Sequence, residues 1–105
     1  MSNDFLKGDL FLTDAVVEFL PMEVIDAIWK AARTMKTSFV DPKQRFELYA
    51  GDGEQIIRHI QQTPHYDNRI TVKTDSPVSD TVYLTTDGSS SWMMFSDEYG
   101  DGEDE

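Results

Sequence analysis

Apolar positions change their spacing twice along the chain, and each change marks a boundary between elements. From Leu10 to Leu20 (LFLTDAVVEFL) they are dense and partly β-branched, interrupted by Thr13, Asp14 and Glu18, which predicts one bent strand or two short extended pieces. Beyond Pro21 they recur at Met22, Ile25, Ile28, Trp29, Ala32 and Met35, at helical spacings of three and four. A helix over Pro21–Lys36 follows. Pro21 suits a first helical position, Glu23 complements the positive pole of the helix, and Lys30, Arg33 and Lys36 complement the negative one. Trp29 lies on the apolar stripe and is expected to anchor the helix in the core.

After Asp41-Pro42 the period drops to two. Phe46, Leu48 and Ala50 alternate with Arg45, Glu47 and Tyr49, which is strand patterning. Gly51-Asp52-Gly53 is a turn, and Glu54–Gln61 reads as the returning strand of a hairpin. Ile56, Ile57 and Ile60 cannot share a face there, so a strand covered on both sides or a bulge is expected. Pro64 closes that strand. Arg69–Thr74, Asp80–Thr86 and Ser91–Ser96 are further strands, the last two joined through Asp87-Gly88 and its serines. The expected fold class is α+β, one main helix packed on a mostly antiparallel sheet of about five strands. Residues 4–99 form a single domain in this reading, and 100–105 an acidic tail without an ordered element.

These elements resemble a family of uncharacterised bacterial proteins, domain of unknown function 960. The resemblance rests on the Leu20-Pro21 step, Ile28-Trp29 in the helix, Arg45-Phe46-Glu47-Leu48, the segment from Ile57 through His59 to Pro64 and Tyr66, Pro77, Met93-Met94 and Glu98-Tyr99. It implies a small α+β domain and supplies no activity, substrate or catalytic residue.

Composition narrows the function classes. The 105 residues include no cysteine, which removes disulfides, thiol catalysis and Cys-ligated zinc. No apolar run approaches the roughly 18 residues of a membrane helix, and the N-terminus lacks signal-peptide order, so a cytoplasmic protein without a membrane partner is expected. Twenty acidic residues against nine basic ones give a net charge of −11. Such a balance argues against direct nucleic-acid binding and for a basic protein surface as partner. Six of the acids, Asp97, Glu98, Asp101, Glu103, Asp104 and Glu105, fall in the last nine residues with no base among them.

Candidate chemistry is sparse. His59 and His65 flank Pro64 without a recognised metal-ligand spacing; His59 is expected half-buried or at an edge, His65 in a loop. No nucleophile elbow accompanies Ser89, Ser90 or Ser91, so a triad of His59, Asp87 and one of these serines lacks its usual setting. No glycine opens the predicted helix, and no phosphate cradle is indicated. The reading calls for no catalytic residue, no metal and no cofactor. The last strand has apolar residues on both faces, Trp92 and Met94 against Met93 and Phe95, so one face is expected to be covered by a second copy, as a homodimer, or by another protein.

The favoured expectation is a non-enzymatic acidic interaction protein, a mobile-element inhibitor that mimics nucleic acid in the basic channel of a DNA-binding nuclease of the restriction or CRISPR type. A domain about 30 Å across matches a length of duplex carrying on the order of 18–20 charges. Its candidate partner-binding residues are Asp52, Glu54, Asp87, Trp92 and the six acids from Asp97 to Glu105. The alternative is a housekeeping binding domain that docks a protein, or itself, through an apolar strand surface.

Overall fold

The computed structural model describes residues 3–6 and 8–99 of the chain. In order, the elements are a 3-10 turn (Asp4–Leu6), β1 (Asp9–Leu12), α1 (Asp14–Phe19), α2 (Met22–Arg33), β2 (Lys43–Ala50), β3 (Glu54–Gln61), β4 (Tyr66–Lys73), β5 (Asp80–Thr86), β6 (Ser90–Phe95) and a second 3-10 turn (Ser96–Glu98). The six strands form one sheet in the order β1-β6-β5-β2-β3-β4. β1 pairs with β6 in parallel, and every other pair is antiparallel. The class is therefore mixed α/β, with six strands and two α-helices where five strands and one helix were expected.

The extra helix is α1, where extended chain was expected. Thr13 is its N-cap, with an extended backbone and a side chain that accepts from the Val16 amide, so the Thr13-Asp14 interruption is a helix start and not a bend. Val16 and Leu20, four apart, are the buried pair of this turn. In α2, Pro21 is the N-cap rather than the first helical residue, and its carbonyl accepts from the amides of Val24 and Ile25. The helix stops at Arg33, three residues early; Thr34 is its C-cap, and its hydroxyl shares the Lys30 carbonyl with its own amide.

Both α-helices pack on one face of the sheet. Phe46 and Leu48 of β2, Ile57 of β3, Val82 and Leu84 of β5, and Met93 and Phe95 of β6 join Val24, Ile25, Ile28 and Ala32 of α2 and Val16 of α1 in the core. Trp29 is half-buried against this cluster, with the Arg33 guanidinium 5.3 Å from its ring centre, so it seals the core's rim instead of anchoring its centre. β1 is brought against β6 by Gly8, whose φ of +74° is left-handed and where an added Cβ would lie 1.5 Å from the Ser89 carbonyl oxygen. Only glycine fits that approach.

β3 departs from its apolar pattern. Its register is unbroken against both neighbours, so no bulge exists, and the residues turned inward are Gln55, Ile57, His59 and Gln61. Ile56 and Ile60 lie half-buried on the opposite face. The two inward glutamines are satisfied. Gln61 accepts from Asp41 and Gln44 and donates to the carbonyls of Phe39 and Pro64; Gln55 donates to the carbonyls of Tyr49 and Val78 and accepts from the Val78 amide. These glutamines fasten three loop segments to the sheet. They do so at about 1 kcal/mol net per bond, with a larger loss if one is left unpaired.

Candidate functional site

Among the described residues no helix covers the other sheet face. Alternation places on it Asp9 and Phe11 of β1, Trp92 and Met94 of β6, Thr81, Tyr83 and Thr85 of β5, Lys43, Arg45, Glu47 and Tyr49 of β2, Glu54, Ile56, Arg58 and Ile60 of β3, and Asp67, Arg69, Thr71 and Lys73 of β4. Strand order divides this face. Its β1-β6-β5 half is aromatic: Phe11 and Trp92, cross-strand partners that are 42% and 45% exposed, stack at 5.1 Å and 26° between planes. Tyr99, following the final 3-10 turn, meets Tyr83 edge-on at 5.2 Å. The Lys43 ammonium sits 4.7 Å from the Tyr83 ring centre and 4.5 Å from that of Tyr99, joining the aromatic half to the charged one.

The β2-β3-β4 half holds a chain of ion pairs. Arg58 forks onto Asp67 through Nε at 3.2 Å and Nη2 at 2.7 Å, and its Nη1 lies 3.8 Å from Glu47, which also pairs with Arg45. The guanidinium holds the Asp67 carboxyl below its ordinary value, and Asp67 in turn raises Arg58. Tyr49 donates to Glu47 at 2.7 Å, which raises its phenol. Both arginines remain nearly half exposed, at 48% for Arg45 and 44% for Arg58.

The predicted acidic residues fall at two ends of the sheet. Asp52 in the β2–β3 turn, Glu54, Asp97 and Glu98 lie at the end where β2 and β6 finish, because Leu48 pairs with Asp80 and Val82 with Phe95. Asp80, and Asp75 next to the Thr74 that bonds Gly53, join them there. Sequence reasoning missed both. Asp80, Asp97 and Glu98 line a cavity of about 350 Å³ together with Ala15, Phe19, Val78 and Phe95. Asp87 and Trp92 lie at the opposite end, a strand length or about 20 Å away.

Two of these acids serve the fold. Glu98 accepts from the Phe95 amide and the Thr13 hydroxyl, both at 2.9 Å, which ties the end of β6 to the start of α1. Asp87 accepts from the amides of Ser89 and Ser90 and from the Ser89 hydroxyl, which shapes the β5–β6 turn and lowers its carboxyl below the ordinary range. Asp101, Glu103, Asp104 and Glu105 lie outside the described residues.

His59 is fully buried, not half-buried. Its ring stacks on Phe46 at 4.2 Å and meets Tyr66 edge-on, and its Nε2 is 2.8 Å from Gln44 Oε1. Asp87 is engaged in its own turn, so no triad with His59 is assembled. His65 is an exposed turn residue. Among the described residues no three His, Asp or Glu side chains converge as metal ligands, and no helix is long and apolar enough to cross a membrane.

Residues 10–98 match the family described as "Staphylococcal protein of unknown function (DUF960)". The chain belongs to this family. A solved structure described as a protein of unknown function from Enterococcus faecalis has the same fold, with a TM-score of 0.72 over 93% of this chain and 97% of that one at 18% identity. Comparison with curated proteins finds no match.

Proposed function

We propose that this DUF960 domain is a non-catalytic binding module whose uncovered sheet face receives its partner. The observation that carries this reading is the Phe11–Trp92 stack, two large rings standing exposed side by side on a sheet face with no helix over it. Exposed stacked aromatics with Tyr83 and Tyr99 beyond them form a contiguous surface of the kind that marks interaction sites on small domains. It corresponds to the apolar strand surface expected around Trp92.

A second reading has its own support. Asp52, Asp75, Asp80 and Asp97 lie at one end of the sheet, where Asp80 and Asp97 line a cavity with an apolar floor, and this is the part of the surface suited to a basic channel in the mimic mechanism. The scattered position of Asp87 and the internal duties of Glu98 leave fewer carboxylates for it than the sequence promised.

Photo-crosslinking in the host separates the two. A photoreactive side chain at Thr85 or Arg45 should capture a partner, whereas one at Asp26 on α2 should not. Capture from Asp80 or Asp97, with none from Thr85 and Arg45, refutes the sheet-face reading in favour of the acidic end.

A further inference from the structure

The uncovered face has a charge balance opposite to that of the chain. Five of the nine bases, Lys43, Arg45, Arg58, Arg69 and Lys73, project from it, against four of the twenty acids. Among the described residues, the other acids lie on the helical layer, in the loops and in the two 3-10 turns. At physiological salt the Debye length in solvent is about 8 Å, so a ligand on this face is influenced most by the charges of the face itself, where Lys43, Arg69 and Lys73 stand apart from the paired Arg45 and Arg58.

Resting on the sheet-face reading, we propose that the ligand is single-stranded nucleic acid, with bases stacked on Phe11 and Trp92 and phosphates held by Lys43, Arg69 and Lys73. Flat rings on adjacent strands are stacking platforms for unpaired bases, whose π-faces a duplex hides. The arginines add to this. Arg58 is clamped edge-on by Asp67, which fixes the plane of a guanidinium whose side chain is 44% exposed, and such a plane can stack on a base. A protein partner fits less well, because the centres of protein interfaces are depleted in charge, whereas here Lys43 stands between two tyrosine rings. The chain-wide charge that argued against nucleic acid counts the acids of the helical layer and the loops together with this face.

The test is a fluorescence-anisotropy titration of the full chain with labelled oligo-dT and oligo-U of about a dozen nucleotides, and with a duplex of equal length. Saturable binding to a single strand is expected, at least about tenfold tighter than to the duplex, and the tighter of the DNA and RNA arms identifies the natural strand. Three phosphate contacts give a salt slope of about −2, so a fourfold rise in salt should weaken binding roughly twentyfold. Trp92→Ala should weaken it about tenfold or more, and Arg69→Gln should weaken it and flatten the salt slope by under one, while Asp97→Asn leaves it unchanged.

No saturable binding at low salt, equal affinity for the duplex, or indifference to Trp92→Ala each overturns the inference. Crosslinks from Thr85 or Arg45 to a protein, without oligonucleotide binding, overturn it while the sheet-face reading stands. An absence of both removes the reading as well.

Discussion

Nε2 of His59 lies 2.8 Å from Oε1 of Gln44 in the interior of the sheet, and that contact sets the imidazole's tautomer. The Gln44 amide nitrogen is already committed to the Asp41 carbonyl and to Gln61 Oε1, so its oxygen faces the ring and must accept. His59 therefore carries its proton on Nε2, and Nδ1 finds no hydrogen-bond partner among the described residues. Burial pushes the pKa of this ring down to about 4. Between pH 4 and the unfolded value near 6.5 the unfolded chain binds the extra proton, so stability rises with pH across that window and is fully present above it. Lowering the pH from 6.5 to 4 should remove roughly 3 kcal/mol, with a limiting slope near 1.4 kcal/mol per pH unit. Urea unfolding above pH 5, clear of the carboxylates, checks this: His59→Gln should lose most of the slope, and an unchanged slope would place the titration elsewhere.

The glutamines around His59 predict a second effect. Gln61 uses both its oxygen and its nitrogen twice, so Gln61→Leu strands the Asp41 amide, Gln44 and two carbonyls together. A loss of about 2–4 kcal/mol in denaturant midpoint stability is expected, although leucine is the more apolar residue. A neutral or stabilising result would mean that the loops at Phe39 and Pro64 are held by other means.

The same residues show what the sequence conveyed and what it hid. Strand limits for β3 and β5 were legible because Gly and Asp turns bracket them, and α2 because its apolar spacing is helical over three turns. The buried face of β3 was not legible. Three isoleucines pointed both ways, and the decisive inward positions are polar residues whose partners come from loops far along the chain. α1 was readable in principle from Thr13, since an N-cap needs only its neighbours. Its six residues are too short for periodicity to outweigh β-branched valines. At the surface, the β5–β6 hairpin already separates Asp87 from Asp97, but only the register brings the β2–β3 turn with Asp52 to the same end as Asp80 and Asp97. The alternation of the last strand put Trp92 on the opposite face from Met93 and Phe95, and it is indeed exposed, but Phe11 and the five cations sharing its face required the register.

Gly8 fixes the approach of β1 to β6. Gly8→Ala must enter the left-handed region, at about 1–2 kcal/mol, and also displace the Ser89 carbonyl. The melting temperature should fall by several degrees. Gly53→Ala, equally left-handed but with no atom within 4 Å of its added Cβ, should cost only the conformational part. Equal losses at the two sites would show that the contact with Ser89 is easily relaxed.

Trp29 and Ile28 compare rim and centre on one helix. Ile28 has no exposed surface, and Ile28→Ala should cost about 2–5 kcal/mol. Trp29→Ala leaves solvent, not a sealed cavity, and should cost less than the ~3–5 kcal/mol typical of a buried indole. Thermal melts of the two variants test this order. A larger loss at Trp29 would mean that its cover over the core, with Arg33 stacked on it, outweighs a fully buried isoleucine.

Glu98 allows charge to be separated from hydrogen bonding at the acidic end. Its Oε1 joins the Phe95 amide to the Thr13 hydroxyl, so Glu98→Ala should cost about 1–2 kcal/mol through loss of a terminal cap. Glu98→Gln keeps an acceptor oxygen while removing the charge, and should recover most of that loss. Asp97, exposed beside it with no hydrogen bond of this kind, should tolerate Asn within about 0.5 kcal/mol. If a basic partner reads this end by charge, Glu98→Gln and Asp97→Asn will weaken its binding alike, and the loss will shrink as salt rises. If binding instead follows stability, falling with Glu98→Ala and not with Glu98→Gln, the carboxylate contributes by holding α1 to β6, and the acidic end has no direct role in recognition.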